Sequence, residues 1–323
     1  MKPEVVGIGE VLIDFVATEP VSFLEVQAFR KCFGGAPMNT LVGVTRLAAS
    51  SGAVTAVGDD FFGQFLMREL ERNGVDTSRV RLKKHKRTTL AFVANEPETG
   101  ERSFVFYRAP WVRGTSDSAL SVEDVDFDYI AEARILHVSG FSLSQNPSRR
   151  AVLSAVKHAN KVGVKVSFDP TLRVDVWNSD RTIRRLYNRI LRLCDIATFS
   201  REEAEFVFGK DDPERAAETA LEHGVKIVGI KLGADGALLK TGAGQRVYIP
   251  AFKVKPVDTT GAGDGWNAGL LVGLLRGWDL ETCVTVANAV GALVVTKPGA
   301  ITALPYRSEL NDFLKERGAN LKV

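Results

Sequence analysis

An α/β fold, with a mainly parallel sheet covered on both faces, is what this sequence predicts, and three observations carry it. Short apolar runs rich in β-branched residues alternate with amphipathic stretches along most of the 323 residues, as strands joined by helices do. The runs are apolar almost without interruption, which suits strands buried on both sides. Several end in polar or glycine residues, namely Gly9-Glu10, Gly58-Asp59-Asp60, Ser139-Gly140, Asp169-Pro170 and Ser200. Open α/β sheets bind ligands beyond the carboxyl ends of their strands, so a site is expected to gather there.

In chain order, residues 5–8, 53–57, 135–138, 164–168, 196–199 and 227–232 read as buried strands. Residues 39–49, 61–73, 149–161, 181–193 and 213–223 read as the intervening helices. One region breaks the alternation: residues 88–94 and 103–108 read as a hairpin around 96–101. Leu90, Phe92, Phe104 and Phe106 occupy one set of its positions, and Ala91, Val93, Val105 and Tyr107 the other. A hairpin apolar on both faces needs cover on both, so it is either core or a flap closing on a ligand or a partner subunit.

Composition narrows the class. Apolar content of 45% and charged content of 25% suit a soluble globular chain. A net charge of +3 is too small to indicate a nucleic-acid or membrane partner. Cys32, Cys194 and Cys283 lack the spacing of a zinc site or a disulfide framework, which points to a reducing, cytoplasmic setting. The chain opens on a strand pattern, not a signal peptide, and apolar runs such as 268–275 fall far short of the roughly 20 residues of a membrane helix.

The richest stretch is Asp258-Thr259-Thr260-Gly261-Ala262-Gly263-Asp264-Gly265-Trp266. It runs into Trp266, Leu270, Leu271, Leu274 and Leu275 at helical spacing. Glycines at a helix start let unpaired N–H groups close around an anion. Asp264 would repel that anion unless it serves as a base beside a phosphate, the pairing that phosphoryl transfer to a hydroxyl requires.

Other segments allow two readings each. Gly34-Gly35-Ala36-Pro37-Met38-Asn39 is a structural turn or a sugar contact, Asn39 offering both a donor and an acceptor. Asp14 is a turn residue or a carboxylate for two hydroxyls of a polyol. Asp169-Pro170 ends a strand, or sets Arg173 in the strand-end crevice for phosphate or carboxylate. Ser200 and Glu203 form a capping box, or Glu203 orders Mg²⁺ or its waters. Lys231-Leu232-Gly233-Ala234-Asp235-Gly236 is a turn, or a loop lying against a nucleotide.

Three patterns fail. Gly209-Lys210 is followed by Asp211, with Ala204 where a P-loop needs its first glycine. Gly7-Ile8-Gly9 is followed by Leu12 where a dinucleotide fingerprint needs Gly or Ala. His85, His137, His158 and His223 show no metal-ligand spacing.

Taken together, Gly34 to Asn39, Asp258 to Gly269 and the Val57-Gly58-Asp59-Asp60-Phe61-Phe62-Gly63 segment resemble the ribokinase-like (PfkB) family of carbohydrate kinases over almost the whole chain. The resemblance implies a three-layer α/β/α domain spanning 1–323, with a small β lid from approximately 11–33 and 86–115. It implies ATP-dependent phosphorylation of a hydroxymethyl group with Mg²⁺. Asp264 matches the family's base, and Gly261, Ala262 and Gly263 its anion hole, with Arg173 assisting at the phosphate. Asp14, Gly34, Gly35 and Asn39 match sugar contacts. Ser200, Lys231, Gly233, Gly236 and Asn288 fall along the nucleotide. Glu203 retains the family's magnesium-water position, while Asp258 and Thr260 match a monovalent (K⁺) site.

Departures are Gly265-Trp266 where the family commonly has Ala-Phe, Ser200 where it has Asn, and Thr171 where fructokinase-like members often have Asn. The segment from Glu101 to Pro110 is similar to bacterial and plant fructokinases, which implies D-fructose as acceptor. A 2-keto-3-deoxygluconate kinase competes, with Tyr107 and Arg108 holding a carboxylate. Ribokinase, inositol or nucleoside kinase, and a silent sugar-binding regulator are further alternatives. A homodimer with lids meeting is expected from the hairpin's second apolar face.

Overall fold

The thirteen strands found among residues 2–95, 102–319, 321 and 323, which the computed structural model describes, fall into two sheets. In chain order they are β1 (Val5–Ile8), β2 (Leu12–Ala17), β3 (Phe29–Gly34), β4 (Ser51–Gly58), β5 (Asp76–Lys83), β6 (Leu90–Asn95) and β7 (Arg102–Tyr107). They continue with β8 (Ile135–Ser139), β9 (Lys165–Asp169), β10 (Ile196–Ser200), β11 (Ile227–Lys231), β12 (Ala237–Thr241) and β13 (Arg246–Ile249). The main sheet has the order β13-β12-β11-β10-β9-β8-β1-β4-β5. It is parallel from β5 to β11, with an antiparallel β12–β13 edge.

All six buried strands expected from the sequence are in this sheet, because runs apolar on both sides can be satisfied only between two helical layers. Two separate cores show those layers. One packs Ala151, Val156, Ile183, Ile190, Ala204 and Ala217 against the sheet. The other packs Leu41, Leu66, Leu270, Val284 and Leu310 against the opposite face. The arrangement is three-layer α/β/α.

The edges escaped the sequence pattern. β5 (Asp76–Lys83) carries Arg79, Arg81 and Lys83, which its own apolar content does not announce as a strand. Arg79 pairs with Asp126 at 2.6 Å and Lys83 with Asp124 at 2.5 Å, so this edge is covered by charge pairs. The first helix, expected over 39–49, runs instead over Ala36–Arg46. Pro37 lies in its first turn, where a missing N–H costs nothing.

The second sheet has the order β3-β2-β6-β7. The turn expected at 96–101 lies outside the described residues. The strands flanking it pair antiparallel, with Leu90 opposite Tyr107, Ala91 opposite Phe106, Phe92 opposite Val105 and Val93 opposite Phe104. This corrects the expected grouping: Leu90 and Phe92 share a face with Val105 and Tyr107, while Ala91 and Val93 share the other with Phe104 and Phe106. Phe106 is buried against Phe141 of the main domain, whereas Val105 and Tyr107 are 45% and 50% exposed. No helix among the described residues is long and apolar enough to cross a membrane.

Candidate active site

Two helix starts meet beyond the carboxyl ends of the central strands. The Ala262–Arg276 helix begins after Gly261, whose φ of 76° places it in the left-handed region. No side chain caps this start, and Asp264 stands in its first turn. The Ala36–Arg46 helix begins after Gly35 at φ 115°, where a Cβ would also lie 2.6 Å from the Glu10 carbonyl oxygen. The crossing is tied by Asn39, whose Nδ2 donates to Asp264 Oδ2 at 2.8 Å, and by Thr40, whose hydroxyl donates to the Asp264 carbonyl at 3.3 Å.

Burial pushes the Asp264 carboxyl up to about 7 from an ordinary 3.8. The Asn39 bond opposes this rise, the Asp169 charge adds to it, Lys231 opposes it and Glu10 adds to it. A carboxyl in this range accepts a proton near neutral pH with real driving force. Asn39 Oδ1 is buried without a hydrogen-bond partner, leaving an acceptor for a hydroxyl donor.

Asp169 and Lys231 form the second half of the site. Lys231 Nζ donates to Asp169 Oδ2 at 2.6 Å, with their side chains 14% and 6% exposed. Asn267 Nδ2 donates to the same oxygen at 2.7 Å, and Thr198 at 3.2 Å. Thr171 donates to Oδ1 through both its N–H and its hydroxyl. Burial alone would raise the Asp169 carboxyl, but Lys231 and these donors carry it well below the usual range. Burial alone would lower the Lys231 ammonium, but Asp169, Glu203 and Asp264 hold it above its ordinary value. Lys231 Nζ sits 3.3 Å from where a Cβ on Gly263 would be, so a fixed positive charge stands beside the glycine-lined helix start. Lys231 is thus bonded to Asp169 and close enough to Asp264 to feel its charge.

Sequence reasoning missed Asp169 as a charge anchor, and it missed Glu10 and Asn267. Glu10 is buried, its carboxylate accepting from the hydroxyls of Ser139 and Ser142 and from the Ala36 N–H at 3.3 Å. Burial pushes its carboxyl up. The available signal for Glu10 and Asp169 was a polar residue ending a strongly apolar strand, whereas Asn267 lies within the Ala262–Arg276 helix and carried no such signal.

Other expected site residues are placed as follows. Asp14 on β2 lies against Gly34, where a Cβ would collide with Asp14 Oδ2. Arg173 stacks its guanidinium over Phe104 of the second sheet, 4.7 Å from the ring centroid, and donates to the Leu172 carbonyl at 2.8 Å. Ser200 caps the Arg201–Phe208 helix, and Glu203 completes a capping box while also accepting from Leu172 N at 2.9 Å. Burial and the Asp169 charge raise the Glu203 carboxyl. Gly233 and Gly236 bound the turn after β11, and the space above Gly233 is open. The Asp258 carboxylate accepts from the Thr260 N–H and hydroxyl and from Gly299 N at 2.8 Å, so it clamps its own turn. Among the described residues no cluster of three or more His, Cys, Asp or Glu could hold a metal.

Two expectations are corrected. Tyr107 and Arg108 do not share a face: Tyr107 stands on the exposed side against Phe92, while Arg108 is fully buried. Arg108 Nε donates to Asp117 Oδ2 at 2.8 Å and Nη1 to Ser144 Oγ at 2.5 Å, while Nη2 is buried without a hydrogen-bond partner, so the ion pair commits one edge of the guanidinium and leaves a donor on the other. Asn288, expected along the nucleotide, is buried with its amide committed. Its Oδ1 accepts from Trp266 Nε1 at 2.8 Å, and its Nδ2 donates to the carbonyls of Ile249 and Pro250. The larger aromatic at 266 brings a buried N–H that needs an acceptor, and Asn288 supplies it.

A buried carboxyl of raised proton affinity, a lysine and a glycine-lined helix start at the strand ends make a site with the chemistry to move an anionic group onto a hydroxyl. The pattern of the pfkB family carbohydrate kinase matches residues 2–307, and the chain belongs to that family. It is 38% identical over 321 residues to "Probable fructokinase-7" of Arabidopsis thaliana, covering 96% of this chain and 92% of that one. Among solved structures it is similar to a fructokinase of Vibrio cholerae O395 in a form with fructose, ADP and calcium, with TM-score 0.86, 33% identity and coverage of 97% and 99%. A fructokinase of Xylella fastidiosa with bound ATP gives TM-score 0.87 at 29% identity, with coverage of 98% and 100%.

Proposed function

We propose that this protein is an ATP-dependent fructokinase, converting D-fructose and ATP to fructose 6-phosphate and ADP. The single observation that carries the chemistry is Asp264, a buried carboxyl raised to about 7 at an uncapped glycine-led helix start. Asp264 takes the proton of the sugar's primary hydroxyl as its oxygen bonds to the γ-phosphorus. The bond from that phosphorus to the bridging oxygen breaks, and ADP departs with the electron pair. Gly261, Ala262 and Gly263 stabilise the charge on the moving phosphoryl group, with Lys231 and Arg173 beside them.

Asn39, through its unpartnered Oδ1, and Asp14 hold the sugar. The open turn at Gly233 and Gly236 receives the nucleotide, with Ser200 at its rim. Glu203 fits a magnesium-bound water: burial, and after it the Asp169 charge, raise its carboxyl, and a hydrated cation would offset both. Mg²⁺ neutralises phosphate charge when bound. Asp258 and Thr260 fit a turn clamp better than a K⁺ site, and no step here needs that ion.

The four-stranded sheet acts as a lid, linked to the domain through Arg173 on Phe104, and it excludes water as a competing acceptor. Its exposed face, with Phe92, Val105 and Tyr107, pairs two lids in a homodimer; sedimentation at micromolar concentration would show a monomer if this is wrong. Fructose is favoured over 2-keto-3-deoxygluconate by the fructokinase relatives. The test is ADP release across fructose, 2-keto-3-deoxygluconate, ribose, inositol and adenosine. The largest kcat/KM is expected for fructose, and a clear preference for the keto acid overturns the assignment.

A further inference from the structure

The Ser148–Val162 and Asp180–Leu191 helices flank a groove of about 350 Å³, which Val122 also lines. Arg149, Arg150, Lys157 and Arg189 line it together with Asn146 and Ser154, and no carboxylate does among the described residues. Arg150, Lys157 and Arg189 are exposed, and none forms an ion pair among those residues. Some basic residues elsewhere are held by carboxylates, as Arg79, Lys83, Lys240 and Arg246 are. Arg149 and Arg150 also occupy the first turn of their helix, which has no acidic residue there. Cations at that end oppose the helix dipole. Four positive groups thus converge with no internal charge to offset them.

We propose that this groove binds a small molecule bearing at least two phosphoryl groups. Its volume is that of a small-ligand site, larger than a single phosphate needs. Guanidinium groups suit phosphate oxygens through paired hydrogen bonds, and Asn146 and Ser154 supply neutral polar contacts. The phosphoryl groups could be those of a nucleotide, a sugar bisphosphate or an inorganic chain.

The groove is also joined to the catalytic side. Arg149 donates from Nε to the Leu143 carbonyl and from Nη2 to the Ser144 carbonyl, both at 2.5 Å. Ser144 Oγ receives Arg108, and Ser142 in the same turn holds Glu10 beneath the Ala36–Arg46 helix start. A polyphosphate drawing on Arg149 therefore pulls at the turn that seats the sugar side. This coupling rests on the kinase reading above; the binding itself does not.

The experiment is calorimetric titration of inorganic tripolyphosphate, fructose 1,6-bisphosphate and ADP into protein whose catalytic site is already filled with ADP and Mg²⁺. The wild type, an R150Q/K157Q/R189Q variant and a charge-matched K84Q/K86Q/R87Q variant are compared. The groove variant is expected to bind tripolyphosphate about tenfold or more weakly than wild type, with the other variant unchanged. Equal weakening in both, or none in the groove variant, overturns the proposal. Tighter binding of the bisphosphate or of ADP than of tripolyphosphate identifies the natural source. Basal kcat with fructose is expected to be unchanged in the groove variant, and only the wild type's sugar KM should respond to added ligand. A KM response that persists in the groove variant refutes the coupling and leaves the fructokinase assignment intact.

Discussion

Asp169 and Asp264 are both buried carboxyls at the same end of the sheet, yet their protons are held in opposite ways. Asp169 faces Lys231, Asn267, Thr198 and Thr171, and stays ionised. Asp264 has one side-chain donor, Asn39, and is pushed to about 7. Burial is common to both, so the number and charge of the donors decides which carboxylate is a fixed anchor and which can exchange a proton. Lys231 divides its charge unequally between them, bonded to one and merely near the other.

The largest break in that contrast is Asp264→Asn, which keeps an acceptor for Asn39 but cannot take a proton. Single-turnover and steady-state kinetics should show kcat down by about 10³-fold with the sugar KM little changed. Near-normal turnover would remove Asp264 from the role of base.

Next is Lys231→Met, which strands the Asp169 charge in the interior. Urea unfolding should show a loss of about 3–5 kcal/mol, as for a broken buried pair. Adding Asp169→Asn should restore part of that loss, and no restoration would mean the pair is not the source.

The pH dependence follows with its sign set. Activity should rise through about pH 7 as Asp264 ionises. Stability should move the other way: the raised carboxyl favours the folded state fully below 3.8, and this contribution is lost as pH rises through about 7. The melting temperature of Asp264→Asn relative to wild type should therefore climb between pH 4 and pH 8. Asn39→Ala removes the one donor and should move the activity limb upward by about one unit. A limb that stays in place would mean the Asn39 bond does not set the base.

The smallest effect is expected at Tyr107. Tyr107→Phe should leave fructose kcat/KM within about twofold, because the ring stands on the exposed face with Phe92. A larger drop would return Tyr107 to the sugar.

The contrast also shows why the site was only partly legible. Gly261 to Asp264 is local: a glycine-led helix start and its first-turn acid lie within a few residues, so the sequence displays them together. Asp169 is anchored by Lys231 and Asn267, 62 and 98 positions away in the chain. Nothing local distinguishes it from a strand-ending acid. The missed β5 has the same cause, since Arg79 and Lys83 become strand residues only when Asp126 and Asp124 arrive to pair with them.

By itself the sequence determined the alternation of strands and helices, the parallel sheet between two helical layers, and the glycine-led loop with its acid. Each follows from periodicity or from conformational freedom within one segment. Only the tertiary structure decided what depends on faces and partners. The odd register of β6 and β7 sent Tyr107 outward, and the Asp117 carboxylate claimed one edge of Arg108. The indole of Trp266 claimed Asn288, and burial combined with a single donor gave Asp264 its proton affinity. Burial, facing and charge compensation are set by residues distant in the chain, and they exist only once the chain has folded.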